Sequence, residues 1–160
     1  LFRSVPEPQD GVIRDSLPFT LTNRTANGTI AYLQDYFDAH REGSIGHFTT
    51  DRCEVFRQEQ AGTEGNDVLG LRGTVWLAPY DLSVRQDFEL LVHPVPGEED
   101  VLGIEIVLIH GSGQPDNWIK LNKTFMGDLR RQLLGWRSLK VERVLGYIEN
   151  ANAMLERLPA

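Results

Sequence analysis

Cysteine occurs once in 160 residues, at Cys53. A lone thiol excludes an internal disulfide and a thiolate metal cluster, and it reads most simply as a small hydrophobe in a strand. Lysine is scarce: Lys120, Lys123 and Lys140 are the whole complement, and the formal net charge is −7. An acidic chain poor in lysine is ill suited to nonspecific nucleic-acid binding, which depends on cations displacing phosphate counterions. No run approaches the roughly 20 apolar residues of a membrane span, and no signal-peptide pattern is present. There is no His-x-x-x-His pair, no G-x-G-x-x-G and no Gly-Lys-Ser/Thr phosphate loop. Accordingly no metal, cofactor or catalytic residue is assigned.

What is present is patterned apolar sequence. Hydrophobic residues make up 41% and charged residues 24%, the values of an ordinary globular domain. The dominant stretch runs from Gly111 to Arg137. It opens with a Gly- and Pro-containing loop and continues as a long amphipathic helix. Trp118, Leu121, Phe125, Leu129, Leu133 and Trp136 recur at three- and four-residue steps, which places them on one helical face. Such a stripe needs a broad apolar surface to lie on.

The segments before it supply that surface. Residues 1–22 hold Pro6, Pro8, Gly11 and Pro18 and read as an extended lead-in; Leu17, Phe19 and Leu21 alternate, as in a short edge contact. Asn23 to Arg41 reads as a first helix, with Asn23, Thr25 and Asn27 as candidate N-caps and Gly43 as a stop. Four strand patterns follow, at Phe48–Gln58, Val68–Ala78, Leu82–Val95 and Val101–His110. Leu69, Leu71, Val75 and Leu77 share one face of the second, and Leu102, Ile104, Ile106 and Leu108 one face of the fourth. Short connections, including the acidic turn around Glu98-Glu99-Asp100, predict antiparallel hairpins. Lys140–Leu158 reads as a last helix, with Ser138 as its candidate cap. The expectation is an α+β fold in the order α-β-β-β-β-α-α. It is a two-layer structure: a four-stranded antiparallel meander with helices on one face, residues 23–160 forming one domain.

Two features invite a functional reading. The loop His110-Gly111-Ser112-Gly113-Gln114 joins a strand to a helix N-terminus, a place where outward-pointing amides hold anions. The plainer reading is a turn with Asp116 as cap. Gly-Ser-Gly is not a nucleophile elbow, and nothing in the sequence sets a histidine beside Ser112. Lys120, Lys123, Arg130, Arg131 and Arg137, with Lys140 and Arg143 beyond them, make the last third basic. They suit either a solvated helix face or contact with an anionic membrane surface or acidic partner. Three Asn-x-Thr sequons, at Asn23, Asn27 and Asn122, fall where helix caps or a helix body are expected and are read as structural.

Several short motifs carry a family resemblance. Pro18-Phe19-x-Leu21-Thr22-Asn23-Arg24-Thr25 and Leu77-Ala78-Pro79-Tyr80-Asp81-Leu82 come first. Gly113-Gln114-Pro115-x-x-Trp118 and Asp128-Leu129-Arg130-x-Gln132-x-x-x-Trp136-Arg137 follow. Together they resemble the C-terminal soluble region of certain bacterial FtsX-like ABC-transporter permeases, over most of residues 17–137. The resemblance implies an inner-membrane parent protein, with Leu1-Phe2-Arg3 just beyond its last span and this domain on the cytoplasmic side. It also implies a separate ATPase subunit, so that nucleotide binding is not expected here. The expected partners are the rest of the permease and that subunit, with an anionic membrane surface a further candidate and nucleic acid none. The expected role is non-enzymatic interaction or regulation. A small-ligand module with His110, Ser112 and Gln114 at its mouth is the alternative, and a hydrolase built on His110 or His93 a more remote one.

Overall fold

The computed structural model describes residues 12–20, 24–41, 48–58, 68–77, 84–95, 97–98, 100–109 and 118–156; of 12–20, 118–122, 152, 154 and 155 it describes the backbone alone. The elements are β1 (Val12–Thr20), α1 (Ala26–Asp38), β2 (Phe48–Gln58), β3 (Val68–Leu77), β4 (Val84–Pro94), β5 (Val101–Ile109), α2 (Trp118–Arg137) and α3 (Val141–Glu156). β2 to β5 form the expected antiparallel meander, with the helices to one side of it. The extended lead-in adds to this: β1 pairs with β5 from Val12 opposite Ile109 to Thr20 opposite Val101. The sheet therefore has five strands in the order β1-β5-β4-β3-β2. Pro18 is tolerated because β1 is an edge, where one side of the strand has no ladder to complete.

Alternation sets the inner face. Leu69, Leu71, Val75 and Leu77 of β3, Phe88, Leu90 and Val92 of β4, and Leu102, Ile104, Ile106 and Leu108 of β5 are all buried. β2 departs from simple alternation. A bulge between Thr50 and Arg52 leaves Asp51 unpaired, so Phe48 and Thr50 point inward before it and Cys53 and Val55 after it. Phe56, on the even parity of Phe48, therefore lands on the outer face, where the Arg72 guanidinium lies 3.8 Å from its ring centre. Gly73 pairs with Cys53, just past the bulge. A Cβ there would lie 1.9 Å from the Arg52 carbonyl oxygen, so no other residue fits. The β4–β5 turn places Gly97 at φ +80°, the left-handed region that glycine occupies without strain.

Of the three candidate caps for α1, Thr25 is the one used: its Oγ1 accepts from the Gly28 amide at 2.9 Å. α3 begins differently from expectation. Its first bonds run from Arg143 and Val144 to the Lys140 carbonyl, so Lys140 takes the cap position and Ser138 lies in the preceding turn.

α1 and α2 run antiparallel over the inner face. Phe37 of α1 stacks on Phe88 at 4.7 Å, and Phe125 of α2 meets both Phe48 and Phe88 edge-on at 5.2 and 6.1 Å. At the other end of the pair Trp136 is 1% exposed, stacked on Tyr32 at 4.7 Å. Its indole N–H donates to Thr29 Oγ1 at 2.9 Å. Of the predicted stripe, Phe125, Leu129, Leu133 and Trp136 are buried as expected and Met126 joins them; the side chains of Trp118 and Leu121 lie outside the described residues. Arg24 closes this end. Its guanidinium donates to the carbonyls of Trp136, Arg137 and Leu139 at 3.1, 3.1 and 2.8 Å, and lies 5.0 Å from the Trp136 ring centre. These carbonyls include orphans of the helix end, where the dipole favours a cation.

Replacing Phe125 or Trp136 by alanine removes the largest contacts of the two ring clusters and should cost about 3–5 kcal/mol, read as a lowered urea midpoint with an unchanged m-value. Arg24→Ala should cost about 1–3 kcal/mol, and Arg24→Lys should recover only part, since an ammonium cannot span three carbonyls as a planar fork does.

Candidate functional site

The residues singled out from sequence meet different fates. His110, Gly111, Ser112, Gly113 and Gln114 lie outside the described residues. By helical spacing the five cations read as one basic surface fall within about a third of the α2 circumference, on the side away from the buried stripe. Lys123, Arg130 and Arg137 are seven apart and occupy one flank of α2, with the 45% exposed Leu134 beside them. Arg131 lies about a quarter-turn further round, where it pairs with Asp128. For Lys120 only its backbone position in the first turn of α2 is described. Beyond α2, Val141 and Leu145 of α3 are 54% and 53% exposed.

The two histidines among the described residues do not converge. His40 is buried just past α1, its ring stacked on Phe48 at 4.4 Å and its Nδ1 2.7 Å from the Tyr36 carbonyl. His93 is on the outer face of β4, packed over Gly103, where a Cβ would come within 2.7 Å of its ring. Among the described residues no three His, Cys, Asp or Glu side chains gather as a metal site would require.

The concave feature that stands out lies between α1 and α3, a pairing the sequence reading did not single out. It is an open groove of about 570 Å³, lined by Ala31, Gln34, Asp35 and Asp38 on α1 and by Arg143, Gly146, Tyr147 and Asn150 on α3. Helical spacing explains the α1 wall: 31, 34, 35 and 38 lie on one face, away from Ile30, Leu33 and Phe37, which enter the core. The phenol of Tyr147 ties the walls together by donating to Asp35 Oδ2 at 2.7 Å. Behind it, Tyr147 meets Tyr32 and Trp136 edge-on at 5.3 and 5.6 Å. Asp38 receives Arg41 at 2.8 Å at the outer end.

Burial, then the bond to the Asp35 carboxylate, raises the Tyr147 phenol to about 12. Burial likewise raises Tyr32 and Tyr36, and it pushes the Cys53 thiol up to about 12, with Asp38 adding to it. A thiol held in that range is a poor nucleophile at neutral pH.

No family model matches the sequence, and no curated protein does. Among solved structures, a START superfamily protein from Mycobacterium smegmatis is similar at 13% identity and a TM-score of 0.41, over 79% of this chain and 97% of that one. Nothing about function passes from that chain to this one. No helix among the described residues is long and apolar enough to cross a membrane.

Two outcomes follow from these environments. Folded Cys53 and the tyrosines hold protons that the unfolded chain releases at lower pH. The folded state then binds more protons, and stability falls as pH rises. The decline should begin near the ordinary thiol value of 9.0 and run through about 12; Cys53→Ala should move its onset to near 10.0, the ordinary tyrosine value, in urea titrations at stepped pH. Gly146 lies within α3, and a Cβ there would meet nothing within 4 Å. Gly146→Ala should therefore stabilise the domain by about 0.5–1 kcal/mol through helix propensity alone, measured by thermal or urea unfolding.

Proposed function

We propose that this chain is a non-enzymatic interaction or regulatory domain appended to an ABC-type membrane permease of the FtsX-like kind. The observation that carries the reading is how the space between sheet and helices is used. Phe37, Phe48, Phe88 and Phe125 fill its described part with rings in mutual contact. A small-ligand module needs a concave chamber lined by a few placed polar groups. Here the polar variety is on the outside, in the α1–α3 groove and along the basic flank of α2. The sequence resemblance supplies the context. The parent is an inner-membrane permease, the domain lies on its cytoplasmic side, and the partners are the rest of the permease and its ATPase subunit. The flank of Lys123, Arg130 and Arg137 beside Leu134 has the chemistry to rest against anionic headgroups, where each basic group adds about 1 kcal/mol.

The test is reconstitution of the parent permease with its ATPase subunit in proteoliposomes, with and without this domain. Loss of the domain should change ATP turnover or subunit retention about twofold or more, in the range of ordinary coupling energies. Identical turnover and assembly would overturn the proposal. A thermal shift of the isolated chain with one small metabolite or anion out of a panel would favour the ligand-module reading instead.

A further inference from the structure

We infer that the α1–α3 groove is a docking site for an amphipathic helix presenting basic side chains one turn apart. The inference rests on the interaction-domain reading and names the partner's chemistry at one surface.

Three observations point there. The groove has the size of a ligand site but lies open, whereas a small molecule needs most of its own surface enclosed to bind well. An open trough between two helices instead suits a third helix laid along it. Second, Asp35 and Asp38 stand one turn apart on the same wall, so a facing helix with lysine or arginine at i and i+4 meets both. Asp35 accepts from Tyr147 through Oδ2 and Asp38 from the exposed Arg41 through Oδ1, so each carboxylate has a second oxygen outside these bonds, and a docked cation competes with Arg41 at Asp38. Arg143, on the opposite wall, discriminates against a uniformly basic surface and fits a partner that is basic along one row only.

The third observation is Gly146. A glycine inside a helix weakens it, and such residues usually allow a close approach. Gly28 fits that pattern: a Cβ there would come within 3.0 Å of the Ile148 side chain. At Gly146 a Cβ would meet nothing within 4 Å, so no packing inside the chain requires it. What it preserves is the open floor of the groove.

The test uses a blocked, alanine-rich helical peptide of about 16 residues with lysines at i, i+4 spacing, and a twin carrying glutamates at the same positions. Binding to the whole chain is followed by fluorescence anisotropy and by amide chemical shifts. The lysine peptide should bind saturably below about 1 mM at low ionic strength, with shifts centred on residues 31–38 and 143–150, and should weaken as salt screens the pairs. Asp35→Asn/Asp38→Asn should weaken it about tenfold or more. Glu54→Gln/Glu98→Gln, which changes net charge equally but away from the groove, should leave it within about twofold. Gly146→Gln should block the floor and weaken it about fivefold while thermal unfolding shows the fold intact. Equal binding of the two peptides, an equal loss in the Glu54/Glu98 control, or shifts centred elsewhere would overturn the inference. So would the lack of saturable binding. None of these outcomes depends on which subunit the domain meets in the permease, so this inference and the proposal above fail separately.

Discussion

The indole of Trp136 is the constraint on which the helical layer depends. A side chain of that size with a polar N–H is costly to bury unless the hydrogen finds an acceptor. Thr29 Oγ1 is that acceptor, and Thr29 is itself held because its hydroxyl donates to the Thr25 carbonyl at 2.7 Å. The start of α1 is thereby pinned to the end of α2. Arg24 adds a second clasp at the same place by donating to the Trp136 and Arg137 carbonyls at the end of α2 and to Leu139 just beyond it. Tyr32 then closes one side of the indole and shares a hydroxyl with Gln132, whose amide donates to it at 2.8 Å. With that end fixed, α1 and α2 have to run antiparallel, and Phe37 and Phe125 arrive together over Phe88 at the far end.

The clasp also defines where the groove lies. Tyr147 packs edge-on against the Tyr32–Trp136 stack, which brings α3 alongside α1 and not onto the sheet. The α1 face that carries Asp35 and Asp38 is then left between two helices and half covered. Core packing thus determines the position of the polar trough, although none of the trough's charged side chains enters the core.

Much of this was legible beforehand. Strand parity in β3, β4 and β5 is read directly from Leu69 to Leu77, Phe88 to Val92 and Leu102 to Leu108, because an uninterrupted ladder preserves a period of two. The stripe from Phe125 to Trp136 is equally plain. β2 was less so: the bulge at Asp51 reverses parity midway, and Phe56, which looks like a core residue, sits on the outer face under Arg72. β1 showed only as a short edge contact at Leu17, Phe19 and Leu21, because Pro18 argues against a central strand but is acceptable at an edge. Within the basic stretch, the seven-residue spacing of Lys123, Arg130 and Arg137 makes a row along α2 that is read directly from the sequence. The groove was invisible for a different reason. It depends on two helices meeting that are about 100 residues apart in sequence, and no local pattern reports that.

The motif residues that resemble the permease family gain a physical meaning from the fold. Arg24 and Thr25 come from one motif, and Gln132, Trp136 and Arg137 from another; the structure brings them into one cluster of hydrogen bonds and ring contacts. Their chemistry is that of holding helices together. The side-chain polar groups of Arg24, Thr25, Gln132 and Trp136 all bond within the chain. The side chains with capacity for other molecules lie elsewhere, on faces where the packing imposes no identity. There Asp35, Asp38 and Arg143 are unconstrained by the core, and a charge can be chosen for what it meets outside. The division between a clasp that specifies the fold and a trough that does not is therefore the reason for looking for function on the α1–α3 surface and not at the residues that make the sequence recognisable.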